Sequence, residues 1–186
     1  TTNNSTAYGI YLNGNNNFAS NSGSINSKVY GIYGNGDANN INNSGNIITT
    51  ASSSAHGIYV SAGSASAASA TNYSTITNFG NINSSGNGIY NKDNFSLINN
   101  SGTITSNASG IYGIRNEGSN VTINNFGTIN SATFAIYNSG SNSIINNYGI
   151  LNGGVRIGPS TFNFLGGSIN GEVNGASEGN INIGLA

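Results

Sequence analysis

Apolar residues in this chain fall in short, isolated anchors set between Gly, Asn and Ser, and nowhere do they sustain the 3.6-residue period of a helix. The tripeptide Gly-Ile-Tyr opens at Gly9, Gly31, Gly57, Gly88 and Gly110, and returns as Ala135-Ile136-Tyr137. A second signature alternates with it. Asn-x-Gly turns start at Asn21, Asn43, Asn78, Asn100, Asn125 and Asn147, and two residues past each Gly stands an aliphatic: Ile25, Ile47, Ile82, Ile104, Ile129 or Leu151. Most turns are also preceded by an aliphatic, at Ile41, Ile76, Ile98, Ile123 and Ile145. Each unit of about 22 residues therefore carries three short apolar anchors, which predicts three short strands per repeat.

One three-stranded coil cannot bury its own apolar side, whereas an identical coil stacked about 4.8 Å away covers it with matching residues. The pattern thus predicts an all-β chain: a right-handed parallel β-helix, or three-strand β-solenoid, of seven to eight coils. It reads as one domain over 1–186. Ser61 to Ala70 (SAGSASAASA) lengthens the third unit without adding an anchor and reads as a surface loop insertion. Residues 167–186 read as degenerate C-terminal coils.

Side chains alternate along a strand, so the Ile and Tyr of Gly-Ile-Tyr face opposite ways. An all-aliphatic column, Ile10, Ile32, Ile58, Ile89, Ile111, Ile136 and Val155, belongs inside. Tyr11, Tyr33, Tyr59, Tyr90, Tyr112 and Tyr137 then form an outward aromatic column that ends at Arg156, a residue costly to bury. Two roles follow for it: ring stacking between coils, or a contact face for glycan or protein. The turn residues Asn21, Asn43, Asn78, Asn100, Asn125 and Asn147 tolerate left-handed backbone and can bond along the stack, so they are expected to build an amide ladder at one corner.

Only 5% of residues are charged and the net charge is −1, which removes the basis for nucleic-acid or anionic-lipid attraction. No stretch approaches the length of a membrane span, so no direct membrane insertion by this segment is expected. The absence of Cys is compatible with export through an oxidising space. With no Met, and Thr1 at its start, the chain reads as a processed mature fragment or an excised piece.

Little chemistry is on offer. The acids are Asp37, Asp93, Glu117, Glu172 and Glu178, the bases Lys28, Lys92, Arg115 and Arg156, with His56 alone of its kind. Polysaccharide-cleaving β-helices need carboxylates flanking one sugar linkage, and here Asp37 and Asp93 fall two units apart. Lys92, Asp93, Arg115 and Glu117 fall at one corner and read as an exposed charge cluster. His56 takes a place held by Tyr8, Tyr30 and Phe134 elsewhere and reads as a packing variant. No metal site, cofactor site or catalytic residue is assigned.

The repeats INNSGTI (Ile98 to Ile104) and INNFGTI (Ile123 to Ile129), alternating with Gly-Ile-Tyr, resemble passenger domains of bacterial type V autotransporters. So does the closing stretch Gly167 to Gly175 followed by Asn180-Ile181-Asn182-Ile183. The resemblance implies a non-enzymatic rod at a bacterial cell surface or released from it, serving adhesion, self-aggregation or biofilm formation. Implied partners are a second copy, laterally or end to end, or a host or bacterial surface glycan or protein. Two other classes stay open: a subunit of an extracellular filament built by end-to-end stacking, and a polysaccharide-active β-helix enzyme.

Overall fold

A computed structural model describes residues 8–61, 73–106, 108–175 and 178–184. All the described secondary structure is β, and every strand pair is parallel. Each coil contributes three strands, and each strand pairs with its counterpart one coil on, so the chain is a β-solenoid of about seven turns.

The first-strand column runs through Ile10–Asn13, Ile32–Asn35, Ile58–Ser61, Ile89–Asn91 and Tyr112–Asn116, and closes with Val173–Gly175. The second runs from Phe18–Asn21 through Asn40–Asn43, Thr75–Asn78, Leu97–Asn100, Thr122–Asn125, Ile144–Asn147 and Thr161–Phe164 to Asn180–Ile183. The third takes in Ser24–Ser27, Asn46–Thr49, Asn81–Ser84, Thr103–Ser106 and Ser168–Asn170. Two long strands, Thr128–Asn138 and Ile150–Ile157, cross a corner unbroken and belong to both the third and first columns, joining these in one sheet of thirteen strands. The second column is a separate sheet of eight.

Alternation puts one aliphatic column from each strand inside. Ile32, Ile58, Ile89, Ile114 and Ile136 from the first strand, Ile41 to Ile145 from the second, and Ile47 to Leu151 from the third are all but inaccessible to solvent. The first column departs from the sequence expectation at one coil. Ile89 pairs with Ile114 and Tyr90 with Arg115, so Gly113-Ile114-Arg115 is the in-register unit and Gly110-Ile111-Tyr112 precedes it. Ile111 is therefore not a core-column residue. The reason is corner length: the in-register Ile of the first strand stands nine residues before that of the second in Ile32/Ile41, Ile89/Ile98 and Ile136/Ile145, and Ile114/Ile123 keeps this spacing where Ile111 does not. The extra residues enter at the corner between third and first strands.

The Asn-x-Gly turns also reach their shape differently from expectation. Left-handed backbone collects at another corner, at Asn16, Ala38, Phe95, Asn120 and Asn142, and not at the ladder asparagines. The turn glycines are needed for approach: a Cβ on Gly45, Gly80 or Gly102 would sit 2.0 Å from the carbonyl oxygen of the turn glycine one coil before. Of the proposed loop insertion Ser61 to Ala70, Ser61 ends a strand and 62–70 lie outside the described residues.

Candidate contact face

Three outward faces follow from the three columns, and they differ in chemistry. The second- and third-strand faces present Asn, Ser, Thr and scattered apolar residues and carry no charge. The first-strand face carries the stacked tyrosine column and most of the exposed charge, while Phe18, Phe79, Phe126 and Tyr148 are exposed elsewhere.

Its outward column reads Tyr11, Tyr33, Tyr59, Tyr90, Arg115, Tyr137 and Arg156. Tyr112 is not a member: it pairs with Phe134, one column over, and Arg115 takes the place expected for it. That neighbouring column is itself aromatic, since Tyr8, Tyr30 and His56 stack at 5.3 and 5.5 Å with nearly parallel rings. The outward tyrosines stack alongside at 5.0 to 5.1 Å, and cross-contacts such as Tyr30 to Tyr59 at 5.0 Å knit the two columns together. Ring faces are thus spent on one another, and ring edges and hydroxyls remain for solvent. Exposure also varies along the row: Tyr11 is 46% exposed and Tyr90 only 9%.

Arg115 bridges a break in the rings. Its guanidinium lies 4.7 Å from the Tyr90 ring centre and 5.9 Å from that of Tyr112, whose ring stacks on Tyr137 at 4.4 Å. Arg115 donates to Glu117 Oε1 at 2.5 Å, and Lys92 Nζ lies 3.7 Å from Glu117 Oε2. Arg156 lies 5.3 Å from the Tyr137 ring centre. Burial raises the Tyr30 and Tyr59 hydroxyls above their ordinary range, and raises Tyr90 further with help from its hydrogen bond to Glu117. These tyrosines are neutral donors at physiological pH.

The charge cluster read from the sequence loses one member. Asp93 is fully buried and accepts a hydrogen bond from Ser74 Oγ at 2.7 Å, because its side chain turns inward at the corner while that of Lys92 turns out. Asp37 is buried as well. His56 fills the place of Tyr8 and Tyr30, and its Nδ1 accepts from the Asn87 backbone N–H at 3.0 Å. Burial, and to a lesser degree Arg115, lower its pKa to about 4.

The turn asparagines run as a continuous amide chain inside the rod. Asn21 Nδ2 donates to Asn43 Oδ1 at 2.7 Å, and Asn43, Asn78, Asn100 and Asn125 each donate onward in the same sense, ending at Asn147. The second amide hydrogen goes to a turn carbonyl two residues ahead, as from Asn78 to Gly80, which fixes the orientation of the amide. A second interior ladder, Asn91 to Asn116 to Asn138 to Ser160, went unread in the sequence. Its signal was present: each of these asparagines stands two residues after a core Ile and so points inward. Asn91 Oδ1 faces Val60 across the strand pair and is left without a hydrogen-bond partner. An outward row runs the opposite way along the rod, Asn182 donating to Asn163, Asn163 to Asn146, Asn146 to Asn124 and Asn124 to Asn99.

One apolar feature lies off this face. Phe126 and Tyr148, the middle residues of successive Asn-x-Gly turns, stack at 4.9 Å and stand about half exposed at their corner. Comparison with protein-family models, with curated proteins and with solved structures finds no match to this chain.

Proposed function

We propose that the chain is a non-enzymatic binding rod, displayed at a bacterial cell surface or secreted from it, that acts in adhesion or self-association through its first-strand face. The observation that carries this reading is the segregation of side chains. Tyrosine, lysine and arginine gather on one face, which is net positive on a chain that is net negative elsewhere, and the interior amide ladder from Asn91 through Asn116 to Asn138 runs behind it. Tyr and Arg are among the residues most enriched where partners bind, Tyr because it brings a large contact area with few rotors and a polar tip, Arg because its planar guanidinium offers several donors in a fixed fork. The polysaccharide-cleaving reading is disfavoured by the place of its acids, since Asp37 and Asp93 are enclosed by the rod and cannot flank a sugar linkage.

Latex beads coated with the purified chain test this reading. They are expected to attach to epithelial or bacterial cell layers, or to clump, well above beads coated with albumin. Coated beads that stay dispersed and unattached would contradict it.

A further inference from the structure

The net charge of −1 conceals a local asymmetry. Of the nine charged residues, Asp37 and Asp93 are buried, and Lys28, Glu172 and Glu178 lie at corners. The remaining four all face outward from the first strands and the residues that end them: Lys92, Arg115, Arg156 and Glu117. Three cations against one carboxylate leave this face at a net +2, while the other two faces carry nothing. Glu172 flanks the last coil, and the carboxylate paired with cations on this face is Glu117, which meets both Lys92 and Arg115.

The cations also have direction. Arg115, Tyr137 and Arg156 are successive members of one column, so the two guanidinium groups stand two coil spacings apart, about 9.6 Å along the rod, with a tyrosine between them. Arg156 is exposed and, among the described residues, meets the Tyr137 ring, whereas Arg115 is partly buried, with Nε enclosed and the guanidinium paired to Glu117, so that a ligand meets it through the exposed part of its guanidinium. A ligand matched to this row is linear, negatively charged and hydroxyl-rich, since the ring faces are already stacked and hydroxyls and guanidinium groups are what it meets.

The geometry points to a linear acidic polysaccharide lying along the Tyr–Arg column, its acid groups at Arg115 and Arg156 and its hydroxyls on the tyrosine row. An extended acidic peptide fits less well. Its side chains on one face repeat about every 6.6 Å, against about 4.8 Å for the coils, and drift out of register within a few residues. A sugar in an extended chain advances by roughly one coil thickness, so every second sugar would meet an arginine. This inference rests on the adhesive reading only in taking the first-strand face as the contact face.

The test is binding of the purified chain to immobilised hyaluronan, which carries one carboxylate per disaccharide, against the same polymer methyl-esterified to neutrality. The acidic polymer is expected to be retained and the ester not, with retention lost as salt shortens the screening length to about 3 Å near 1 M. Arg115→Gln with Arg156→Gln is expected to weaken binding about tenfold. Arg156→Gln alone, at an exposed position that leaves the fold undisturbed, should weaken it about threefold. Glu117→Gln, which removes the one acid on the face, should strengthen it. Equal binding to the ester, unchanged binding by the arginine variants, or tighter binding to poly-glutamate would each overturn the assignment. Beads that adhere to cells while the chain ignores hyaluronan would remove this ligand and leave the adhesive reading standing; beads that fail to adhere while hyaluronan binds would do the reverse.

Discussion

The glycine that opens each first strand is selected by contact, not by backbone angle. A Cβ on Gly31, Gly57, Gly88 or Gly113 would lie 2.1 to 2.3 Å from the Cγ2 of the third-strand Ile of its own coil, and within 2.7 Å of a carbonyl oxygen one coil on. The chain contains its own exception. Ala135 occupies this position in the coil whose third-strand residue is Leu151, which lacks a β-branch, and the register with the next coil shifts between Phe134 and Ile136. Gly88→Ala is therefore expected to destabilise by about 1–3 kcal/mol, and Ile104→Leu to recover part of that loss. A double-mutant cycle by urea unfolding should give a favourable coupling of at least about 0.5 kcal/mol; strict additivity would refute the explanation. His56 gives a second residue-scale prediction. Its folded pKa of about 4 lies below the unfolded 6.5, so between these values only the unfolded chain takes up the proton. The stability His56 provides is complete above the unfolded value and is lost as pH falls toward about 4, a change on the order of 3 kcal/mol. His56→Tyr should remove that part of the pH slope between about pH 7 and 4; an unchanged slope would assign it to other groups.

Elements here are columns, and their stability lies in what repeats from coil to coil. The interior asparagines have both amide hydrogens committed, so Asn100→Ala removes the acceptor for Asn78 and the donor to Asn125 at a buried position. We expect a loss of about 2–4 kcal/mol. Asn146→Ala cuts an outer row that water can rescue, and should cost less than about 1 kcal/mol. Comparable losses at the two sites would deny the interior ladder its special role. The aliphatic columns and the turn-asparagine ladder were legible in the sequence because the same residue recurs at each coil. Tyr112 was misread because two Gly-Ile pairs compete between Gly110 and Ile114, and corner length, which no tripeptide encodes, decides between them. The recurring place of Tyr8, Tyr30, His56 and Phe134 was legible, but the packing of that column against the outward tyrosines and the inward turn of Asp93 depend on the path of a corner, which no periodic signal marks.

At the scale of the whole molecule, stacking repeats makes each residue position a line along the rod, so a functional preference at one position becomes a face. Two such faces are amide-rich and uncharged, and one is aromatic and cationic. The proposed adhesive role requires that this difference matter, which makes face-specific loss of attachment the most direct measurement. Beads would be coated with the parent chain, with Tyr33→Ser/Arg115→Gln/Arg156→Gln on the first-strand face, or with Thr122→Ser/Asn124→Ser/Asn146→Ser on the second. All three proteins should first be matched for β-sheet circular dichroism. Only the first-face variant should lose attachment, while the second-face variant adheres like the parent. Equal attachment by all three, or loss confined to the second-face variant, would contradict it.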